Sequence, residues 1–334
     1  MKWILLAIAT VTASAQPALQ FAEIRGLRTE SGQTIESCRV AYRTYGALNG
    51  QRSNAILFPT WFTGRSENLD AFIGSGKMLD PARYFIITVD ALGNGVSCSP
   101  STGGAGFPRL TIGDMVESQY RLLTEALKIP RLHAVLGISM GGMQTFEWIT
   151  AHPEFIKLAV PIVGSPKLTM ADLLLWQAEL GAIEAVQKAG ADPRTAMSAV
   201  RAMHEFALAT PGWIAANRPA SEFPAALARF EKDAFTGASP IDYAAQLRAM
   251  MSHDISRRFQ GRMEAAGAAV RARVLVVAAT QDHMVNPQPA LDLASSAGFR
   301  VLKLTGSCGH RAPGCEEGRL WAAVSAFLAE EPVQ

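Results

Sequence analysis

At 334 residues the chain has room for one large domain carrying an insertion, or for two domains, and it is far too long for a small disulfide-stapled scaffold. Charged residues make up 18%, apolar residues 49% and mean hydropathy is +0.13, a balance that excludes disorder and calls for a substantial core. The formal net charge of +2, with no run of like charges, gives no basis for a nucleic-acid partner or an anionic membrane surface, so recognition is expected in local pockets that take a small molecule.

In chain order, the first segment reads as targeting rather than fold. Met1-Lys2 carries one positive charge, residues 3–11 are apolar apart from Thr10, and Ala13-Ser14-Ala15 is a small-x-small cleavage site. Residues 1–15 are therefore expected to be an export signal, with a mature chain that starts near Gln16 and works in the periplasm or outside the cell. The apolar stretch is well short of the roughly 20 residues of a spanning helix, and no later segment reaches that length, so no membrane span is expected. Export permits disulfides among Cys38, Cys98, Cys308 and Cys315. Three pairings are open, with Cys308 and Cys315 near enough in sequence to close a short loop; the alternative is four buried thiols. No cysteine or histidine spacing suits zinc, and neither a metal nor a cofactor is expected.

Short apolar runs at 55–58, 84–90, 132–136, 158–163, 274–279 and 301–304 alternate with helical stretches. This pattern predicts an α/β fold with a mostly parallel sheet flanked by helices, the runs forming buried strands. Thr111 followed by Asp114 marks a capping-box helix start, and Ile112, Met115, Val116, Leu122, Leu123, Ala126 and Leu127 predict one apolar stripe toward the sheet. Residues 165–273 are rich in Ala, Leu and Met, with no strand signal. They are expected to form a helical lid over the carboxyl edge of a catalytic domain made of 16–164 and 274–334. Trp176, Trp213, Met203, Met250 and Met251 are candidates to line a pocket beneath it, against the plainer reading that they are ordinary core.

The most informative residues are Gly137-Ile138-Ser139-Met140-Gly141. This GxSxG motif follows the apolar run 132–136 and precedes a helical stretch, the strand, sharp turn and helix of a nucleophile elbow. Its glycines clear space so that the serine hydroxyl stands free at a helix N-terminus. Serine at its ordinary pKa is a poor nucleophile and needs a base and an orienting carboxylate, which in an α/β-hydrolase follow in the order Ser, acid, His. Asp282, directly after the run 274–279, and His310, in a glycine-rich loop after 301–304, occupy those places. His283 is expected to be a loop neighbour, His133 a strand residue, and His152 the end of the elbow helix. His204 and His253 fall in the lid, with His253-Asp254 open to substrate contact or to capping, and Asp292 is expected at the surface. For the oxyanion, the amide of Met140 is one expected donor and that of Phe62, in the loop Pro59-Thr60-Trp61-Phe62-Thr63-Gly64, the other; Trp61 is expected to wall the acyl pocket.

Several segments together carry a family resemblance: Ala41-Tyr42-Arg43-Thr44-Tyr45-Gly46, Asn54-Ala55-Ile56-Leu57, Asp90-Ala91-Leu92-Gly93-Asn94-Gly95, Thr111-Ile112-Gly113-Asp114, and 137–148 with its Ser-Met-Gly-Gly-Met-Gln core. On these the chain resembles the homoserine O-acetyltransferase family of α/β-hydrolases. The resemblance implies ping-pong chemistry in which Ser139 is acylated and a second substrate removes the acyl group. Members that bind homoserine carry Asp directly after the catalytic His, where this chain has Arg311, and they use a lid arginine within a stretch that is absent from 165–273. Arg201 or Arg218 could substitute, yet neither matches by motif. An ammonium beside Arg311 would lose binding. The expectation is an exported, esterase-like serine hydrolase acting on a small-molecule ester or acyl donor. An O-acyltransferase is the alternative, and the intact Ser, Asp and His argue against a silent binding protein. No motif encodes oligomeric state, so a homodimer stays open.

Overall fold

The structure is a computed structural model in which residues 17–104 and 106–330 are described; the expected export segment 1–15 lies outside them. Eight strands build one sheet: β1 (Gln20–Arg28), β2 (Thr34–Tyr45), β3 (Ala55–Pro59), β4 (Phe85–Val89), β5 (Leu132–Ile138), β6 (Ile156–Ile162), β7 (Arg273–Ala279) and β8 (Arg300–Leu304). Their order is β1-β2-β4-β3-β5-β6-β7-β8, antiparallel for the pairs β1–β2 and β2–β4 and parallel from β4 through β8.

The central strands are apolar on both faces because helices cover both. Along β3 and β5, Leu57 and Val135 join a core with Met115, Phe146 and Trp148, while Ile56, Ala134 and Leu136 join a second core with Leu320, Val324 and Phe327. Three strands differ from the sequence expectation. The β1–β2 hairpin is absent from the six apolar runs, because it alternates Ala22, Ile24 and Val40 facing inward with charged residues such as Glu23, Arg25 and Arg39 facing water. The run at 301–304 is a strand, but β8 is an edge with β7 as its neighbour, and Val301 stays 40% exposed.

The helix Ile112–Arg121 starts at the expected box: the Thr111 hydroxyl accepts from the Asp114 amide at 3.1 Å, and the Asp114 carboxylate accepts from the Thr111 amide at 2.8 Å. It runs into a π turn, Leu122–Ala126, which rotates the stripe; Leu122 and Leu123 remain buried, whereas Ala126 reaches solvent. Between β6 and β7 the chain is helical from Met170–Lys188 to Met263–Ala269, with an isolated bridge at Lys167 and Asp254 and no strand. Among the described residues no helix is long and apolar enough to cross a membrane.

The four cysteines pair as Cys38–Cys98 and Cys308–Cys315. The first ties the hairpin to the segment after β4 and closes a separation of 60 residues. A loop of that size restricts the unfolded chain by about 4 kcal/mol in the chain-entropy account.

A buried histidine makes the lid's base sensitive to acid. His253 lies 3.9 Å from the Glu147 carboxylate, and burial, aided by the Arg257 charge, pushes its pKa down from 6.5 to about 3. Between those values the unfolded chain binds a proton that the folded protein refuses, so this group costs stability as pH falls from 6.5 toward 3. Glu147, raised by the same burial, works in the opposite direction. Replacing His253→Gln is expected to flatten the acid limb, so that urea midpoints of variant and wild type diverge in slope between pH 7 and pH 4; parallel slopes would remove the histidine as the cause.

Candidate active site

Strand β5 is buried along its whole length and ends at Ser139, whose backbone is left-handed with φ 58° and ψ −120°, before the helix Met140–Ala151 begins. A non-glycine residue reaches this region only when its surroundings hold it there. The hold is visible: the Ser139 amide donates to the Ile162 carbonyl at 2.8 Å, and its own carbonyl accepts from Met143 at 3.0 Å. The turn also demands small neighbours. A Cβ on Gly137 would sit 2.2 Å from the Gly141 carbonyl oxygen, and one on Gly142 would sit 2.9 Å from the Ile162 carbonyl oxygen.

The ends of β7 and β8 deliver the other two expected residues to this turn. His310 Nε2 lies 2.8 Å from Ser139 Oγ, and His310 Nδ1 lies 2.6 Å from Asp282 Oδ2. The other carboxylate oxygen of Asp282 accepts from the amides of Met284 and Val285, both at 3.0 Å, which fixes the acid's orientation. With Asp282 accepting from Nδ1–H, Nε2 is left free to accept the serine proton. His310 sits in a single turn, Gly309–Arg311, inside the loop that the Cys308–Cys315 disulfide closes. The lid braces that loop through Thr210, whose hydroxyl donates to the Ser307 carbonyl at 2.6 Å.

Of the two expected oxyanion residues, Met140 follows Ser139 directly and Phe62 lines the same cavity as the serine. Met140 is the first residue of its helix, where amides lack intrahelical acceptors. In the loop after β3 the amides of Thr60, Thr63 and Gly64 donate to the Val89 carbonyl, the Gln246 side chain and the Trp61 carbonyl. Phe62 and Ser139 both line a cavity of about 440 Å³.

That cavity also takes in Trp61 and two of the five lid candidates, Trp176 and Met250, together with His310 and Arg311. Met203 and Met251 follow the plainer reading: they are partly buried and pack against the core. Trp213 and Arg218 line a neighbouring groove of about 280 Å³, with Arg218 near Glu222 at 3.5 Å. Arg201 reaches the candidate cavity and lies 3.8 Å from Asp233. Arg311 is paired with Glu205 at 2.5 Å, so the reversed charge beside His310 is already compensated.

The remaining residues fall largely where expected. His133 is buried in β5 with Nε2 against the Leu328 carbonyl, His152 stacks on Tyr120 at the end of the elbow helix, and Asp292 is a surface partner of Gln288. Asp254 caps a short helical turn at Ser256, and His253 is interior and absent from the cavity. Sequence reasoning missed a buried polar group behind Phe62. Glu179 accepts from Tyr243 at 2.8 Å and faces His204 at 3.2 Å, and the Phe62 ring packs edge-on against Tyr243 at 4.5 Å. Burial beside Glu179 drives the Tyr243 phenol well above its usual range, which keeps it a neutral donor. The only hint in the sequence was the helical spacing of Arg201, His204 and Glu205. No cluster of three or more metal-ligating side chains occurs among the described residues.

A family model described as alpha/beta hydrolase fold matches residues 56–311. The chain belongs to the alpha/beta hydrolase fold family. Among curated relatives, this hydrolase-fold chain is 43% identical over 163 residues to an ethyl acetate hydrolase of Pseudomonas veronii, covering 47% of each chain. It is 42% identical over 167 residues to a homoserine O-acetyltransferase of Pelobacter propionicus, covering 42% of this chain and 44% of that one. The matched segment thus spans about half the length of these relatives or less. Among solved structures, the acetyl esterase MekB superposes with a TM-score of 0.87 at 28% identity, over 93% of this chain and 97% of that one.

Because the Gly137 contact is with backbone, no side chain can move aside for an added methyl group. Gly137→Ala is expected to destabilise the protein by several kcal/mol in urea unfolding, while Ser139→Ala, which removes only the hydroxyl and leaves the turn as it is, stays within about 1 kcal/mol of wild type. Equal stability of Gly137→Ala and wild type would mean that the turn is not sterically locked.

Proposed function

We propose that this protein is a serine esterase of small, uncharged carboxylic esters, exported from the cytoplasm. The observation that carries the reading is the continuous chain from Ser139 through His310 to Asp282, at 2.8 and 2.6 Å, opening into a largely apolar cavity. Ser139 Oγ attacks the ester carbonyl carbon while His310 Nε2 takes its proton, and the carbonyl electrons collect on an oxyanion facing the amides of Phe62 and Met140. The tetrahedral adduct then collapses: the carbon–oxygen bond to the alcohol breaks and His310 protonates the departing oxygen. Water repeats the sequence on the acyl-enzyme, giving up its proton to His310, and the carboxylic acid leaves with Ser139 restored.

Substrate charge is argued from the cavity wall. Arg311 and Glu205 neutralise one another, so an ammonium group would find no unpaired carboxylate at the position next to His310. Aromatic and aliphatic surfaces at Trp61, Trp176 and Met250 suit a short acyl group. The names of the relatives, an ethyl acetate hydrolase and an acetyl esterase, support the same class. Export is supported by the residue pattern at 1–15 and by the two disulfides, which belong to oxidising compartments. Acyl transfer is the second reading. It is favoured by the homoserine O-acetyltransferase relative and by Arg201, which reaches the cavity as a candidate partner for an acceptor carboxylate.

Product analysis separates the two. With short p-nitrophenyl esters or acetyl-CoA as donor, the esterase releases free acid whether or not homoserine is present, whereas formation of O-acetylhomoserine would overturn the hydrolytic reading. Ser139→Ala is expected to lower kcat/KM by about ten-thousand-fold or more, and a fluorophosphonate to label Ser139 in the wild type. N-terminal sequencing of protein recovered outside the cytoplasm is expected to start near Gln16; recovery only from the cytoplasm with Met1 intact would overturn export.

A further inference from the structure

We propose that Gln246, on the lid helix Pro240–Met251, is a positioning residue that sets the oxyanion loop of the catalytic domain. The proposal rests on the serine-esterase reading and deepens it. Gln246 is fully buried, and its two amide atoms bridge two loops that end neighbouring strands: Oε1 accepts from the Thr63 amide at 2.8 Å, after β3, and Nε2 donates to the Leu92 carbonyl at 3.0 Å, after β4.

Thr63 is a β-branched residue held at φ 57°, a conformation that costs energy unless its neighbours impose it. The catalytic domain secures the loop on either side. Thr60 is held through its amide to Val89 at 3.0 Å and its carbonyl to Gln144 at 3.0 Å, and the Gly64 carbonyl accepts from Asn94 at 2.9 Å. Between these anchors the Gly64 amide closes a turn on the Trp61 carbonyl at 2.9 Å, and the N–H of its central peptide, joining Phe62 to Thr63, is taken up by the lid through Gln246. The Phe62 ring is oriented by the lid as well, against Tyr243, itself fixed by Glu179. The Phe62 N–H, the donor proposed for the oxyanion, shares a peptide plane with the Trp61 carbonyl that Gly64 holds, and Gln246 and Tyr243 act on it by holding this turn in place. The backbone is shaped around this glutamine: Gly93, at φ 82°, comes so close that a Cβ there would lie 3.2 Å from Gln246 Cγ.

A residue acting through the oxyanion loop should affect the transition state more than ground-state binding. Gln246→Met keeps volume and loses both hydrogen bonds. Gln246→Glu restores both when its buried carboxyl is neutral, with the carbonyl oxygen accepting from Thr63 and the hydroxyl donating to Leu92. On a short p-nitrophenyl ester, Gln246→Met is expected to lower kcat about ten- to hundredfold with KM within about twofold. Affinity for a trifluoromethyl ketone, which forms a charged tetrahedral adduct on Ser139, is expected to fall by a similar factor, and Gln246→Glu is expected to recover most of both losses. Wild-type kcat in folded Gln246→Met overturns the assignment. So does a loss of kcat that tracks Tm equally in both variants without weakening the ketone, which marks a purely structural role. A wild type whose Ser139 resists fluorophosphonate overturns the esterase reading and the assignment with it, whereas a labelled Ser139 with an indifferent Gln246→Met overturns the assignment alone.

Discussion

Ser139 is held in a left-handed backbone conformation at the point where strands and helix crowd one another most closely. The carbonyl oxygens of Gly141, Pro59 and Ile162 stand where side chains on Gly137, Gly141 and Gly142 would have to go. Interiors packed this tightly transmit position with little slack, so the location of the hydroxyl is decided by the sheet and not by the side chain. Once it is set, the ends of β7 and β8 need only present a carboxylate and an imidazole at hydrogen-bonding distance. The order of strands in the sheet does this for residues 28 apart in sequence, and for a histidine 171 residues from the serine.

Around that rigid centre the lid contributes in two chemically different ways. Its apolar residues Trp176 and Met250 shape the cavity, while its polar residues Glu179, Tyr243 and Gln246 are buried and fully engaged in holding the wall behind Phe62. Buried polar groups are expensive unless satisfied, and satisfied ones specify a single arrangement. The helical segment between β6 and β7 therefore holds the loop after β3 as well as lining the cavity. The pair formed by Glu205 and Arg311 adds a third element, a charge-balanced seam between the lid and the turn that bears His310.

Much of this was legible in the sequence because the relevant signals are local. Gly137 to Gly141 announce a turn, the apolar runs announce strands buried on both faces, and the placement of Asp282 and His310 after two such runs follows from chain order. What was not legible has a physical reason in each case. The hairpin β1–β2 escaped because one of its faces meets water, so it alternates instead of forming an apolar run. Helical spacing could nominate Met203 and Met251 but could not say which face of the lid they share with the core. Gln246 carries no mark of its role, since its partner Thr63 lies 183 residues away and is engaged through a backbone amide that any residue other than proline would offer. The cysteine count left three pairings open, and the fold selected one by laying the middle of β2 beside the segment after β4 and by turning 308–315 back on itself.

The short disulfide Cys308–Cys315 encloses His310 and Arg311, and with them the proposed proton carrier and one half of the ionic seam to the helical segment. A cross-link over so few residues contributes less to global stability than the longer Cys38–Cys98 bridge, because loop-closure entropy grows with loop length. Its consequence is local: it adds a covalent tie to a segment that Thr210, Asp282 and Glu205 otherwise hold by hydrogen bonds and an ion pair, so the imidazole is carried on a turn closed from within as well as gripped from outside.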